Sequence, residues 1–182
     1  MKITETELAG CFLLEPLVFE DERGYFFESY HLNRFQENTG LDLNFVQDNQ
    51  SKSKYGVIRG LHIQKGEFAQ AKLIRVLAGK ILDVAVDARP ESPNFGKSYS
   101  VELSAENKKQ LFVPKGFLHG FSVLSPEAIV LYKCDTYYNQ ISEDGVHPLD
   151  KDLAIDWKIP EGDQILSEKD SKAKSFSEFK AI

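Results

Sequence analysis

The sequence predicts an all-β fold, an antiparallel sandwich or barrel with a few short helices, and three observations carry that reading. The hydrophobic period is mostly two, the apolar runs are short, and Gly, Pro, Asn or Ser stand between them. Strand-like runs lie around Val57-Ile58, at Ser98 to Leu103, Gln110 to Val113, Phe121 to Leu124 and Ala128 to Cys134. The stretch from Lys72 to Arg89 holds two β-branched runs split by Ala78-Gly79-Lys80, which reads as a hairpin. The clearest helix runs from His31 to Asn38, and Thr39-Gly40 closes it, because glycine readily takes the left-handed conformation that ends helices. The C-terminal third, with Pro148, Trp157 and Pro160, is expected to wrap the sheet in short segments.

Composition narrows the class further. A chain of 182 residues with 42% apolar content can bury one substantial core, and its length points to one domain spanning 1–182. Cys11 and Cys134 lie far apart with no other thiols, so a disulfide framework of the small secreted kind is not available and reduced, cytoplasmic thiols are expected. The start MKITETELAG has no apolar run, and no stretch approaches the length of a membrane span, so neither export nor insertion is expected. Acidic residues exceed basic ones by 28 to 22, a net charge of −6, which disfavours a nucleic-acid partner. A local cluster of Arg and Lys can still hold phosphates inside an acidic protein.

Two segments place polar side chains among strand formers, where each must reach a cavity or find a partner. In Gly56-Val57-Ile58-Arg59-Gly60-Leu61-His62-Ile63-Gln64, strand alternation puts Gly60, His62 and Gln64 on one face and Arg59, Leu61 and Ile63 on the other, apart from any bulge at the glycine. The second segment is Pro114-Lys115-Gly116-Phe117-Leu118-His119-Gly120-Phe121. This pair resembles the two motifs of the cupin superfamily, which implies a double-stranded β-helix of jelly-roll type. Metal-binding cupins place three His and one Glu at these positions, a donor set suited to a transition metal. Here the corresponding residues are His62, Gln64, Lys72 and His119, and an ammonium in place of a carboxylate repels a cation. No metal and no other cofactor is expected.

A second resemblance covers nearly the whole chain. The stretches Asp21 to Glu28, Phe45 to Ser51, Arg59 to His62, Ala69 to Leu73, Pro114 to Phe121, Leu131-Tyr132-Lys133 and Ser167 to Asp170 are similar to the deoxythymidine-diphosphate-4-dehydrorhamnose 3,5-epimerase family. The resemblance implies a homodimer that epimerises a 4-keto-6-deoxyhexose nucleotide, a dTDP-sugar, toward the rhamnose series used in cell-surface polysaccharide. It implies His62 as the base that removes a C–H proton beside the ketone, Asp170 as its orienting partner, and Tyr132 as proton donor on the opposite sugar face. Lys72, placed inward by the cupin pattern, would stabilise the oxyanion that forms at C4.

Read alone, each of these residues has a plainer role: His62 a hydrogen-bonded barrel residue, Tyr132 a core aromatic, Asp170 a solvated carboxylate near the tail and Lys72 an outward charge. His119 could brace a tight turn between Gly116 and Gly120, and is carried as substrate-binding. Arg23, Glu28, Gln47, Asp48, Asn49, Arg59, Glu143 and Lys169 match the family's nucleotide and sugar contacts, with Arg23 and Arg59 suited to clamp a diphosphate. The segment from Asp21 to Glu28 is expected to serve the neighbouring subunit, and an exposed N-terminal strand offers an edge that a second copy can cover. A relative acting at C3 alone or C5 alone would keep the same His, Lys and Tyr, and a sugar-binding cupin without catalysis is the reading from another class.

Overall fold

The computed structural model describes residues 1–179, so the last three positions of the expected 1–182 span lie outside the described residues. The first half of the chain runs through β1 (Lys2–Glu5), β2 (Phe12–Glu15), β3 (Val18–Asp21), β4 (Gly24–Phe27), α1 (Leu32–Thr39), β5 (Gln47–Lys54), β6 (Ile58–Gln64), β7 (Lys72–Ala78) and β8 (Lys80–Asp87). The second half adds β9 (Ser98–Ser104), β10 (Gln110–Val113), β11 (Phe117–Val123), β12 (Glu127–Cys134), β13 (Glu143–Gly145) and α2 (Glu168–Ser171). A six-stranded sheet has the order β1-β2-β10-β7-β12-β5, and a five-stranded sheet the order β13-β6-β11-β8-β9. The β3–β4 hairpin stands apart as a two-stranded ribbon.

Alternation along the strands builds three apolar layers. Between the sheets lie Ile74, Val76, Ile81, Ala85, Phe121 and Val130, the inward side chains of β7, β8, β11 and β12. The outer face of the five-stranded sheet presents Ile58, Leu61, Val84 and Leu118, covered by Leu153, Trp157 and Phe179 from the C-terminal wrap. The Trp157 Nε1 donates to Pro148 O at 2.7 Å, and Ser122 Oγ donates to Trp157 O at the same distance, so the wrap is bonded to the sheet. On the outer face of the six-stranded sheet, Phe35 of α1 closes a third cluster with Phe12, Leu73 and Phe112. That ring is 1% exposed, and truncating it to alanine would cost about 3–5 kcal/mol.

Helix α1 has His31 as its N-cap, with Arg34 N donating to His31 Nδ1, and ends at Gly40, whose φ is +72°. The expected hairpin at Ala78-Gly79-Lys80 is not one. Strands β7 and β8 belong to different sheets, and the chain turns a corner between them at Gly79. Gly79 has φ +74°, and a Cβ there would lie 2.0 Å from Glu127 O, so the corner accepts only glycine. Both runs are β-branched because both line cores, not because they pair.

A bulge corrects the facing read along β6. His119 lies opposite His62 and Phe121 opposite Arg59, so two steps on β11 match three on β6. The extra residue shifts the alternation: Ile58, Leu61 and Ile63 share the outer cluster, while Arg59 comes to the same cavity as His62. Gly60 and Gly120 permit the close approach, since a Cβ on Gly60 would sit 2.6 Å from Gly120 Cα and one on Gly120 2.6 Å from Arg59 O.

Candidate active site

The inward face of each sheet is apolar over most of its length and polar near one end. On β7, Ile74 and Val76 enter the central core while Lys72, two residues earlier, lines a cavity. On β12, Ala128 and Val130 are core and Tyr132 packs against them with its other side on the cavity. The cavity has two lobes. One, of about 490 Å³, is lined by Ser51, Arg59, His119, Ser167, Lys169 and Asp170 among others. The smaller, of about 190 Å³, is lined by Gln47, Asn49, Gln64, Gln70, Tyr138 and Glu143. His62, Lys72 and Tyr132 line both, so they stand at the junction.

His62 Nε2 is 2.6 Å from Asp170 Oδ1. Asp170 is buried, and burial alone would raise its carboxyl. The hydrogen bonds with His62 and Ser167 and the Gly60 amide outweigh burial and hold it below the usual carboxylate range. An ionised carboxylate only accepts, so Nε2 is the donor to Asp170, and in the neutral imidazole Nδ1 is the nitrogen with the lone pair. Ser167 caps α2 by accepting from Asp170 N at 3.0 Å, which fixes the carboxylate's backbone.

Although part of Lys72 faces the cavity, burial pushes its ammonium well below the ordinary lysine value, against weaker opposing pulls from Cys134, Glu143 and Asp83. No side-chain hydrogen bond among the described residues contributes to its environment. An ammonium without a partner is ready for an anion that arrives with a ligand. Burial raises the Tyr132 phenol, with Cys134 adding to the shift, and so keeps its proton on the oxygen near neutral pH. The Cys134 thiol is raised by burial as well, so it is not a nucleophile near neutral pH, and its charge acts on Lys72 and Tyr132 only once it ionises.

His119 does not brace a turn. It sits within β11, with Nε2 2.8 Å from Oδ1 of Asp83, a fully buried carboxylate on β8. Asp83 escaped the sequence reading, though a charge inside Ile81-Leu82-Asp83-Val84-Ala85-Val86 requires a buried partner, and that requirement was the available signal. Ser53 was missed too; its Oγ accepts from Arg59 Nε at 3.0 Å and orients the guanidinium toward the cavity. Tyr138, also missed, donates its hydroxyl to Glu143 Oε2 at 3.0 Å, and Lys169 Nζ reaches the same oxygen at 2.6 Å. Burial would raise Glu143, but the bonds from Lys169 and Tyr138 prevail and lower it.

Of the other expected contacts, Gln47 and Asn49 face the smaller lobe and bond each other at 3.0 Å. Asp48 does not face it. Its carboxylate lies on the opposite side of β5, 3.0 Å from Lys133 Nζ. Arg23 and Glu28 are likewise away from both lobes: Arg23 is 90% exposed and pairs with Asp21 in the same hairpin, and Glu28 pairs with Arg34 of α1. Among the described residues no group of three or more His, Cys, Asp or Glu side chains is placed to hold a metal. The amide of Gln64, at a cupin ligand position, is instead bonded to backbone groups of two loops.

A jelly-roll sandwich with a His–Asp dyad, a buried lysine and a tyrosine at the junction of a two-lobed cavity defines a cupin-type sugar-nucleotide epimerase. The model of the dTDP-4-dehydrorhamnose 3,5-epimerase family matches residues 5–178, and the chain belongs to that family. It is 48% identical over 176 residues to the dTDP-4-dehydrorhamnose 3,5-epimerase of Shigella flexneri, covering 97% of this chain and 96% of that one. The crystal structure of dTDP-4-dehydrorhamnose 3,5-epimerase from Elizabethkingia anophelis NUHP1 superposes with a TM-score of 0.94 at 60% identity, covering 97% of each chain. A dTDP-6-deoxy-D-glucose-3,5-epimerase from Legionella pneumophila in complex with dTDP-4-keto-L-rhamnose gives 0.94 at 48% identity, over 99% of this chain and 95% of that one.

Proposed function

We propose that this chain epimerises dTDP-4-dehydro-6-deoxy-D-glucose at C3 and C5 to dTDP-4-dehydro-L-rhamnose. The observation that carries the reading is the meeting of His62, Lys72 and Tyr132 at the junction of the two lobes, with Asp170 behind His62. Both C3 and C5 flank the C4 ketone, so one constellation can treat each carbon by the same chemistry. Nδ1 of His62 takes the C–H proton, and the electron pair moves onto the C4 oxygen as an enolate. The Lys72 ammonium faces that oxygen, an interaction stronger in the transition state than in the ketone. The Tyr132 phenol returns a proton to the opposite face of the carbon, and the imidazolium and phenolate exchange protons with solvent before the next carbon reacts. Arg59 and Lys169 supply the positive charge for the diphosphate, and Gln47, Asn49, His119 and Glu143 offer hydrogen-bonding edges to the sugar and base.

The active unit in this reading is a homodimer. The β3–β4 hairpin exposes Phe19, Tyr25 and Phe26, carries Arg23 away from its own cavity, and covers none of its own strand edges with another sheet. A second copy accepting the hairpin would bury those rings and bring Arg23 and Glu28 to the neighbouring site. The compartment we infer is the reducing cytoplasm, where two free buried thiols are at home. Among the described residues no helix is long and apolar enough to cross a membrane.

The decisive experiment incubates the protein with the 4-keto-6-deoxyglucose nucleotide in deuterated water and follows the label by NMR. Label at both C3 and C5 is expected. Label at one carbon would make the chain a mono-epimerase, and none would leave a binding module.

A further inference from the structure

Gln64 is 4% exposed, and three of the four hydrogen-bonding positions of its amide are filled. Its Nε2 donates to Phe68 O at 2.8 Å and to Tyr137 O at 3.3 Å, and its Oε1 accepts from Asn139 N at 2.6 Å. Two other glutamines act on the same loop. Gln70 Nε2 donates to Thr136 O at 2.6 Å, and Gln47 Oε1 accepts from Tyr138 N at 2.9 Å. Thr136, Tyr137, Tyr138 and Asn139 lie outside any strand or helix, so their backbone groups need such partners. Each of the four is held through its backbone by a glutamine from β5, β6 or the segment before β7.

The held loop forms one wall of the smaller lobe. Tyr138 lines that lobe, and its hydroxyl supports Glu143, which in turn holds Lys169 at the boundary with the larger lobe. A loop shifted by loss of its clamps would move Tyr138 and withdraw its hydroxyl from Glu143, while Glu143, His62, Lys72 and Tyr132 stay on their own strands. We infer that Gln64, assisted by Gln70, is a positioning residue for substrate binding: it fixes the Thr136–Asn139 loop and thereby the wall that receives the sugar nucleotide. This rests on the epimerase reading above. A strand position that serves metal binding elsewhere among cupins here secures the binding wall.

The test compares steady-state kinetics of the wild type, Gln64→Glu and Gln70→Leu on the 4-keto-6-deoxyglucose nucleotide. Gln64→Glu keeps the shape and the acceptor for Asn139 N but turns oxygen against Phe68 O and Tyr137 O. KM is expected to rise about tenfold with kcat kept within about threefold, because the lost contacts act equally on ground and transition states. Gln70→Leu, on a partly exposed segment, should raise KM about threefold with kcat unchanged. A role confined to folding would lower the melting temperature and the active fraction but leave KM alone. Unchanged KM in the folded variants, or kcat lost with KM constant, overturns the inference. If Gln64→Glu does not fold, Gln70→Leu decides alone by the same criterion. A wild type without turnover overturns the epimerase reading and this inference with it, whereas a working wild type with unsplit variants overturns this inference only.

Discussion

Asp170 Oδ1 lies 2.6 Å from His62 Nε2 although 108 positions of chain separate the two residues. The contact joins a strand of the five-stranded sheet to a one-turn helix of the C-terminal wrap, so the His62–Asp170 pair is made only when the wrap has docked. Asp170→Asn removes the charge that fixes the tautomer and stabilises the imidazolium. It should lower kcat by about 10²–10⁴ while KM stays within about threefold. The same carboxylate contributes to acid stability with a definite sign. Its folded pKa is depressed, so the stabilisation is full above the ordinary carboxylate value and is lost as pH falls through the depressed one. Denaturant midpoints of the variant should therefore depend less on pH on the acid side; an unchanged pH profile together with wild-type kcat would remove Asp170 from the mechanism.

Much of this was legible in the sequence, and the gaps have physical causes. Lys72 could be placed because its position in the cupin pattern points it inward, and Tyr132 because the family resemblance singles it out; strand period alone leaves Lys72 an outward charge and Tyr132 a core aromatic. Strand β5, QDNQSKSK, has no apolar period because one face lines the polar cavity and the other meets solvent, so period alone could not find it. Strict alternation alone puts Arg59 on the outer face, and the exception left for a bulge at Gly60 is the one β6 takes, because a bulge shifts phase without changing composition. The Gly79 corner looked like a hairpin because turn chemistry reports a change of direction, not which sheet receives the next strand.

The proposed role of Lys72 predicts an alkaline limit to activity. Only the ammonium can pair with the enolate, and burial depresses its pKa from the ordinary 10.5, so kcat/KM should fall with rising pH before an exposed lysine would titrate. Tyr132 shifts the other way, above 10.0, and its loss of the donated proton comes later. The lysine also costs stability: between its depressed folded value and 10.5 the unfolded chain binds more protons, so stability rises with pH there. Lys72→Met should thus melt at a higher temperature than the wild type while losing turnover. A lower melting temperature, or an unshifted alkaline limb in Lys72→Arg, would contradict this.

The hairpin prediction concerns two subunits. If Arg23 serves the neighbour's cavity, Arg23→Ala on one subunit and His62→Asn on the other put both defects in the same site of a mixed dimer, the cavity of the His62→Asn subunit. Each heterodimer then has one doubly impaired site and one intact site, and equal mixing with random exchange should restore about a quarter of wild-type activity at low substrate. Light scattering should give a dimer at micromolar concentration. A monomer, or mixtures no more active than their components, would place Arg23 outside the site.

Tyr132→Phe separates proton removal from inversion. Changing a stereocentre requires the proton to leave one face and return on the other, which one imidazole cannot readily do. The substitution removes only the hydroxyl, leaving the ring packed against the central core and leaving His62 and Lys72 in place. Deprotonation should continue, and the enolate should be reprotonated by His62 on the face it came from. The expected outcome is deuterium exchange without complete inversion, with the doubly epimerised product reduced by about 10²-fold or more, the usual loss for removing a positioned acid. His62→Asn should behave differently and abolish label uptake at both carbons, because the base itself is gone. If Tyr132→Phe makes the product at the wild-type rate with an unchanged label pattern, Tyr132 is a packing aromatic. His119, hydrogen-bonded to Asp83 on the wall of the larger lobe, is then the next donor to test.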